Sequence, residues 1–191
     1  MGQVPLVLRR GAEGDLKQII GLIDGAADWL RTKNTDQWAQ PWPSKADRDH
    51  RIRTDLLAGK TWIAWDGGTP CATVTADVSS QVWPPESKRE RAVYLCRLVV
   101  SRSHGGRGIG ARLIDWAGSR ARRRLGADWV RIDVWTTNTA LHAYYRRQGF
   151  EFYGFCEMVG AYPSAALFQK PTAAISPAHP ALFEVESAAD R

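Results

Sequence analysis

Apolar positions along this chain change period several times, and each change marks an element boundary. A β-rich run over residues 4–9 predicts a first strand. Leu16, Ile19, Ile20, Ile23, Ala27 and Leu30 then recur at three- and four-residue spacing, which predicts a helix that Asp15 can cap. Asn34, Pro41 and Pro43 break the pattern across residues 32–43. Ser44 opens a second helix, with Asp47 three residues on as a weaker capping-box partner. Ile52, Leu56 and Leu57 supply its buried face and Gly59 ends it. Residues 60–66 and 70–79 flank Asp66-Gly67-Gly68 and read as a hairpin. Residues 81–91, with Pro84-Pro85, form a polar loop before a strong strand over residues 92–100. A helix follows over residues 108–125 along Ile109, Leu113, Trp116, Ala117 and Ala121, and Gly126 closes it. Residues 128–136 form a strand, residues 139–148 a helix ended by Gly149, and residues 150–156 and 166–169 two last strands. The order β-α-α-β-β-β-α-β-α-β-β predicts an α/β fold, a mixed central sheet with helices on both faces. One domain spans residues 1–170, and residues 171–191, rich in Pro, Ala and Ser, read as a C-terminal tail.

With 191 residues, 44% of them apolar, the chain can bury a sizeable core. It has no run of 18 apolar residues, so no membrane span is expected. The apolar run near the N-terminus is too short for a secretory signal, and Leu6 stands where myristoylation wants Ser or Thr. Cys71, Cys96 and Cys156 lie far apart in apolar, strand-like stretches. They lack metal-ligand spacing and read as small buried hydrophobes in a reduced, cytoplasmic protein that binds no metal. The net charge of +6 comes from 20 Arg and 6 Lys against 20 acidic residues. That balance suits an anionic nucleotide cofactor as well as nucleic acid. The one basic run, Arg120 with Arg122, Arg123 and Arg124, reads more simply as a solvated helix face, so nucleic acid is not the expected partner.

The informative segment starts at Tyr94. A buried strand runs into Ser101-Arg-Ser-His-Gly105-Gly106-Arg107-Gly108-Ile109-Gly110-Ala111, and a helix starts inside that turn. A helix N-terminus offers unpaired N–H groups and a positive dipole end, and glycines admit a ligand close to the backbone. Together they suit a pyrophosphate, to which Arg107 can add charge-assisted bonds. The glycine spacing fits neither a Walker loop nor the dinucleotide fingerprint.

Here the sequence resembles the GCN5-related N-acetyltransferase (GNAT) family. Leu98-Val99-Val100 falls on its L-x-V strand ending, and Gly105 through Gly110 on its Q/R-x-x-G-x-G/A loop, with Gly105 where the family has Gln or Arg. A second block, residues 137–150, resembles N-x-x-A-x-x-L-Y-x-x-x-G-F. Asn138, Tyr145, Gly149 and Phe150 are in register, Leu141 replaces Ala and Tyr144 replaces Leu. The resemblance implies an acetyl-CoA-dependent N-acetyltransferase. Its pantetheine arm pairs with backbone of Leu98 and Val100, and an N–H near Val99 polarises the thioester. Its pyrophosphate lies on Gly105, Gly106, Arg107, Gly108, Ile109, Gly110 and Ala111, and Asn138 belongs to the same cofactor site.

Direct attack of an amine on a thioester needs a base for the ammonium and an acid for the departing thiolate. Tyr145 falls where the family's thiolate-protonating tyrosine stands. The strand at residues 94–100 carries Arg97 and no acid, so Asp133, Asp77, Glu90 and His142 all stay open as the base. The acceptor side falls on the Pro-broken connection after the first helix. Trp38 and Trp42 can wall a pocket there and hold an amine by cation–π attraction, with Asp36 beside them. The expected acceptor is a primary amine of a small molecule. A peptide or protein acceptor, or a non-catalytic acyl-CoA-binding role, stands as the alternative, and the sequence leaves a homodimer open.

Overall fold

A computed structural model of the chain describes residues 6–156, 163–175 and 182–185. Its elements, in chain order, are β1 (Leu6–Arg10), α1 (Leu16–Leu30), α2 (Lys45–Leu57), β2 (Thr61–Asp66), β3 (Thr69–Asp77), β4 (Ala92–Val100), α3 (Ile109–Leu125), β5 (Trp129–Val134), α4 (Thr139–Arg147), β6 (Glu151–Phe155), β7 (Ala166–Pro171) and β8 (Leu182–Val185). The strands form one mixed sheet in the order β6-β7-β5-β4-β3-β2-β1-β8. The order of elements read from the sequence holds through β7. The eighth strand lies in the stretch read as a tail and pairs in parallel with β1, Leu6 standing opposite Leu182. Four residues among Pro and Ala carry too weak a local signal to announce a strand; the unpaired edge of β1 provides the template.

Helices cover both faces. On one, α3 lays Ile109, Leu113, Ile114 and Ala117 against Leu8, Trp62, Val74, Leu95 and Val130 of the sheet. On the other, Ile19 and Ile23 of α1 and Ile52 and Leu56 of α2 meet Ile63 and Val99. The start of α1 differs from the expected cap. Asp15 makes no capping bond. Its carboxylate instead accepts two bonds from Arg9, at 2.7 and 2.8 Å, and one from the Ala12 amide at 2.8 Å. These bonds, the Arg9 pair first, hold its pKa below the usual carboxylate range. They tie the end of β1 to the start of α1. Ser44 does cap α2, accepting from the Asp47 amide at 3.1 Å. Asp47 takes the Ser44 hydroxyl proton at 2.5 Å rather than the Ser44 amide that a capping box would use.

The polar loop before β4 is anchored from beneath. Arg131 of β5 is fully buried, donates to the Ser87 carbonyl at 2.6 Å and to Glu90 at 2.5 Å, and stacks on Trp83 at 4.9 Å. Among the described residues no helix is long and apolar enough to cross a membrane.

Candidate active site

The sheet opens at its centre. β4 and β5 pair in parallel only from Ala92 opposite Trp129 to Leu95 opposite Ile132. Past that point β5 stays with β7 through Val134, while β4 stays with β3 through Val100. The two central strands therefore fork, and the edge of β4 that faces β5 is left without a strand over residues 96–100. On its opposite edge, in the ladder with β3, β4 bulges. Thr73 pairs with Val99 and Thr75 with Cys96, so Val74 alone faces both Arg97 and Leu98. Arg97 adopts φ +50° to make the turn. A bulge removes main-chain groups from the ladder and re-aims them. The bulged residues Arg97 and Leu98 line a cavity of about 1170 Å³, together with β4 and β5 beyond the fork, α4 and the connection between α1 and α2. The sequence reading placed the free amide near Val99; the ladder pairs Val99 with Thr73, and the unpaired pair is Arg97–Leu98. The Val99 side chain is buried in the α1–α2 core and that of Ile109 in the α3 core. Any part either plays toward a ligand runs through its main chain.

Beyond β4 the glycine turn leads into α3. Gly106 and Gly108 have φ of +78° and +72°, a region that only glycine adopts without strain, and Gly108 is the N-cap of α3. A Cβ on either would stand in open space, so the first turn of α3 presents bare backbone outward. Gly110 is required for a different reason. A Cβ there would lie 2.9 Å from the Tyr144 hydroxyl oxygen, which packs over the first turn of α3. Arg107 departs from its expected role. Its guanidinium donates to Asp66 at 2.8 Å, with the His104 Nε2 at 3.2 Å from the same carboxylate. Arg107, by this bond first, holds the Asp66 pKa below the usual range. Arg107 thus fastens the glycine turn to the β2–β3 hairpin, and α3 is left to offer amides rather than a side-chain cation.

Tyr145 lines the cavity from α4 and is nearly closed off from solvent, edge-on to Tyr144 at 5.2 Å and to Phe150 at 5.4 Å. Burial first, then the neighbouring Tyr144 and Asp133, push its pKa well above that of an ordinary phenol. Of the four base candidates, Asp133 alone lines the cavity. It is the first β5 residue past the last β4 pair, at the apex of the fork. Its charge is felt by Cys96, Arg97 and Tyr145. The other three lie outside the cavity lining. Asp77 accepts from Lys60 at 2.7 Å, Glu90 from Arg131, and the His142 Nε2 lies 2.9 Å from the Trp135 carbonyl oxygen.

The acceptor side is built differently from its expectation in two places. Asp36 does not line the cavity. It is exposed and accepts from the Trp135 indole at 2.9 Å and from the Thr137 hydroxyl. Asn138, expected at the cofactor, lines the cavity, caps α4 by accepting from the Leu141 amide at 3.0 Å and donates to Gln37 at 2.6 Å. Asp36, Gln37 and Asn138 therefore strap the α1–α2 connection across the mouth of the β5–α4 turn. Trp38 does line the cavity, from φ +58°, an unusual backbone for a bulky residue. It also packs on the Ile19, Ile52 and Val99 core, which holds it there. The sequence reading passed over Tyr144, Arg51 and Trp135. Tyr144 alone carried a signal, a hydroxyl where the family pattern has leucine. Trp38→Ala is expected to cost about 2 kcal/mol through lost packing, less than a fully buried tryptophan because Trp38 is only half-buried. That is a fall of roughly 5 °C in Tm. A Tm equal to the wild type would remove Trp38 from the core.

Comparison with known proteins gives this geometry its class. Residues 24–150 match the model of the acetyltransferase (GNAT) family. The uncharacterized N-acetyltransferase YesJ of Bacillus subtilis is 31% identical over 144 residues, covering 73% of this chain and 78% of YesJ. The chain belongs to the GNAT acetyltransferase family and is a GNAT-type N-acetyltransferase. Solved structures agree in fold. A GNAT-family acetyltransferase of Listeria monocytogenes superposes with a TM-score of 0.69 at 24% identity, over 87% of this chain and 94% of that one. The PaiA N-acetyltransferase of Thermoplasma acidophilum, solved in complex with coenzyme A, superposes with a TM-score of 0.65 at 14% identity, over 87% and 98%.

Proposed function

We propose that the protein transfers an acetyl group from acetyl-CoA to the primary amine of a small molecule, by direct attack of the amine on the thioester. The observation that carries this reading is the fork between β4 and β5, which opens a strand-wide slot beside Asp133 and Tyr145, on the strand that runs on into the glycine turn and α3. The donor supplies an activated acetyl thioester. An extended pantetheine arm can add to the open edge of β4 as a strand does, drawing on main-chain groups over residues 96–100. Gly106, Gly108 and the first turn of α3 fit a pyrophosphate, since neither glycine fills the space in front of its own backbone.

In this reading Asp133 removes the proton from the attacking ammonium. The bulge amides at Arg97–Leu98 face the carbonyl oxygen as charge grows on it. Tyr145 returns a proton to the departing thiolate. The strap through Gln37 and Asn138 roofs the cavity, which favours a small acceptor over an extended peptide. Thiols at Cys71 and Cys96 suit a reducing, cytoplasmic setting. Gly108→Val tests the donor site. A branched Cβ in front of the α3 amides should weaken acetyl-CoA roughly tenfold in calorimetry, the worth of one amide bond to a charged group. Wild-type affinity in a folded variant would refute the placement of the pyrophosphate.

A further inference from the structure

The charged side chains around the cavity are unevenly divided. Among the described residues, Lys33, Arg48, Arg51, Arg97 and Arg102 are cationic and Asp133 alone is acidic. Two of the cations are matched within the fold. Arg48 pairs with Asp24 at 2.6 Å and with Asp49 at 2.7 Å, and Arg97 pairs with Asp55. Lys33, Arg51 and Arg102 have no carboxylate partner among the described residues, and all three are exposed at the rim. Each is held against an indole instead. Arg102 lies 4.0 Å from the centre of the Trp29 ring, Lys33 lies 5.4 Å from the same ring, and Arg51 lies 5.5 Å from that of Trp42. Arg51 also donates one N–H to the Trp42 carbonyl. Contacts of this kind hold a cation in place while leaving its remaining N–H groups for an anion.

This arrangement bears on the expected use of Trp42, since Arg51 of the protein itself already stands over its ring. The charges also run in order. A single acid stands half-buried at the apex of the fork, and the cations stand at the solvent end of the same cavity. Polycationic acceptors meet repulsion at such a rim, whereas an amine joined to an anion meets attraction at both ends.

We infer that the acceptor is an amine that also carries an anionic group, a carboxylate or a phosphate, with the amine at Asp133 and the anion at Lys33, Arg51 and Arg102. The inference rests on the proposed acetyl transfer and names its substrate class. The test uses the full chain with acetyl-CoA and matched acceptors: α-amino acids against their carboxamides, aminoalkyl phosphates against the corresponding amino alcohols, and spermidine. Release of CoA thiol gives kcat/KM for each, and calorimetry gives acetyl-CoA affinity separately. The anionic member of at least one pair should be favoured by about tenfold, the worth of one charge-assisted bond. Lys33→Glu or Arg51→Glu should bring that ratio near one. The pair that discriminates tells carboxylate from phosphate. Equal rates within every pair, or a preference for spermidine, would overturn the anion assignment while leaving acetyl transfer in place. A rise in the acetyl-CoA Kd with no change in the pair ratio would overturn it too, by assigning these cations to the donor's phosphates. If acetyl-CoA binds and no amine releases thiol, the small-amine reading fails and this inference falls with it.

Discussion

Asp133→Asn should lower kcat by about a thousandfold, within the range that a positioned base contributes, with acetyl-CoA affinity within a few-fold of wild type. Asparagine keeps the size and shape of the side chain at the apex of the fork but cannot take a proton from an ammonium. Three observations place the effect here rather than elsewhere. Asp133 lies where β5 loses β4 while still paired with Leu167 of β7, and it lines the cavity that opens there. Its charge reaches Tyr145, the proposed acid, which puts the two groups on one reaction centre. The competing residues Asp77, Glu90 and His142 do not line the cavity. The pH profile separates a base from a mere support. An acid limb of kcat/KM in the wild type should vanish in the Asn variant and persist in Asp133→Glu. An Asn variant with near wild-type turnover would hand the proton to water.

The central strands, the glycine turn and α4 were legible in the sequence because each is a local signal. A β-branched run, a glycine cluster before a helical stripe and a capped helix ending in Gly149 are all written within about ten residues. What the sequence could not supply is pairing across distance. Asp133 looked like any polar residue in an apolar strand, and only the end of the β4–β5 ladder exposes it. Arg107 looked like a phosphate ligand because nothing nearby in sequence competes for it, yet Asp66 lies 41 residues away in the chain and at 2.8 Å in the fold. Asp36 and Asn138 similarly looked like ligand contacts, and they join strap and turn across about a hundred residues. Trp42 lines the cavity, and the cation over its ring comes from the protein, one α2 side chain away. Charged and hydrogen-bonding side chains are recognisable by type long before their partners are known. The errors therefore gather on polar residues, while the apolar assignments to helices and strands largely stand.

Tyr145→Phe should lower kcat by about a hundredfold, the low end for a general acid, and leave acetyl-CoA affinity within a few-fold. Removal of one oxygen from a ring packed between Tyr144 and Phe150 leaves the packing intact, so the loss reports on the proton and not on the fold. The direction of its pKa sharpens the test. Burial favours the neutral phenol, so Tyr145 stays protonated in the folded protein at pH values where an exposed tyrosine, near pKa 10, has begun to ionise. Wild-type kcat should therefore hold level through about pH 10, with no alkaline fall from loss of the donor. The same shift makes folding less favourable above that pH, because the unfolded chain releases this proton and the folded chain does not. Tyr144 is the control. Its hydroxyl lies over Gly110 at the start of α3, and burial raises its pKa as well. Tyr144→Phe should change kcat only a few-fold. A hundredfold loss in that variant, with Tyr145→Phe close to wild type, would move the proton donor one residue along α4, to the side chain nearest the α3 amides.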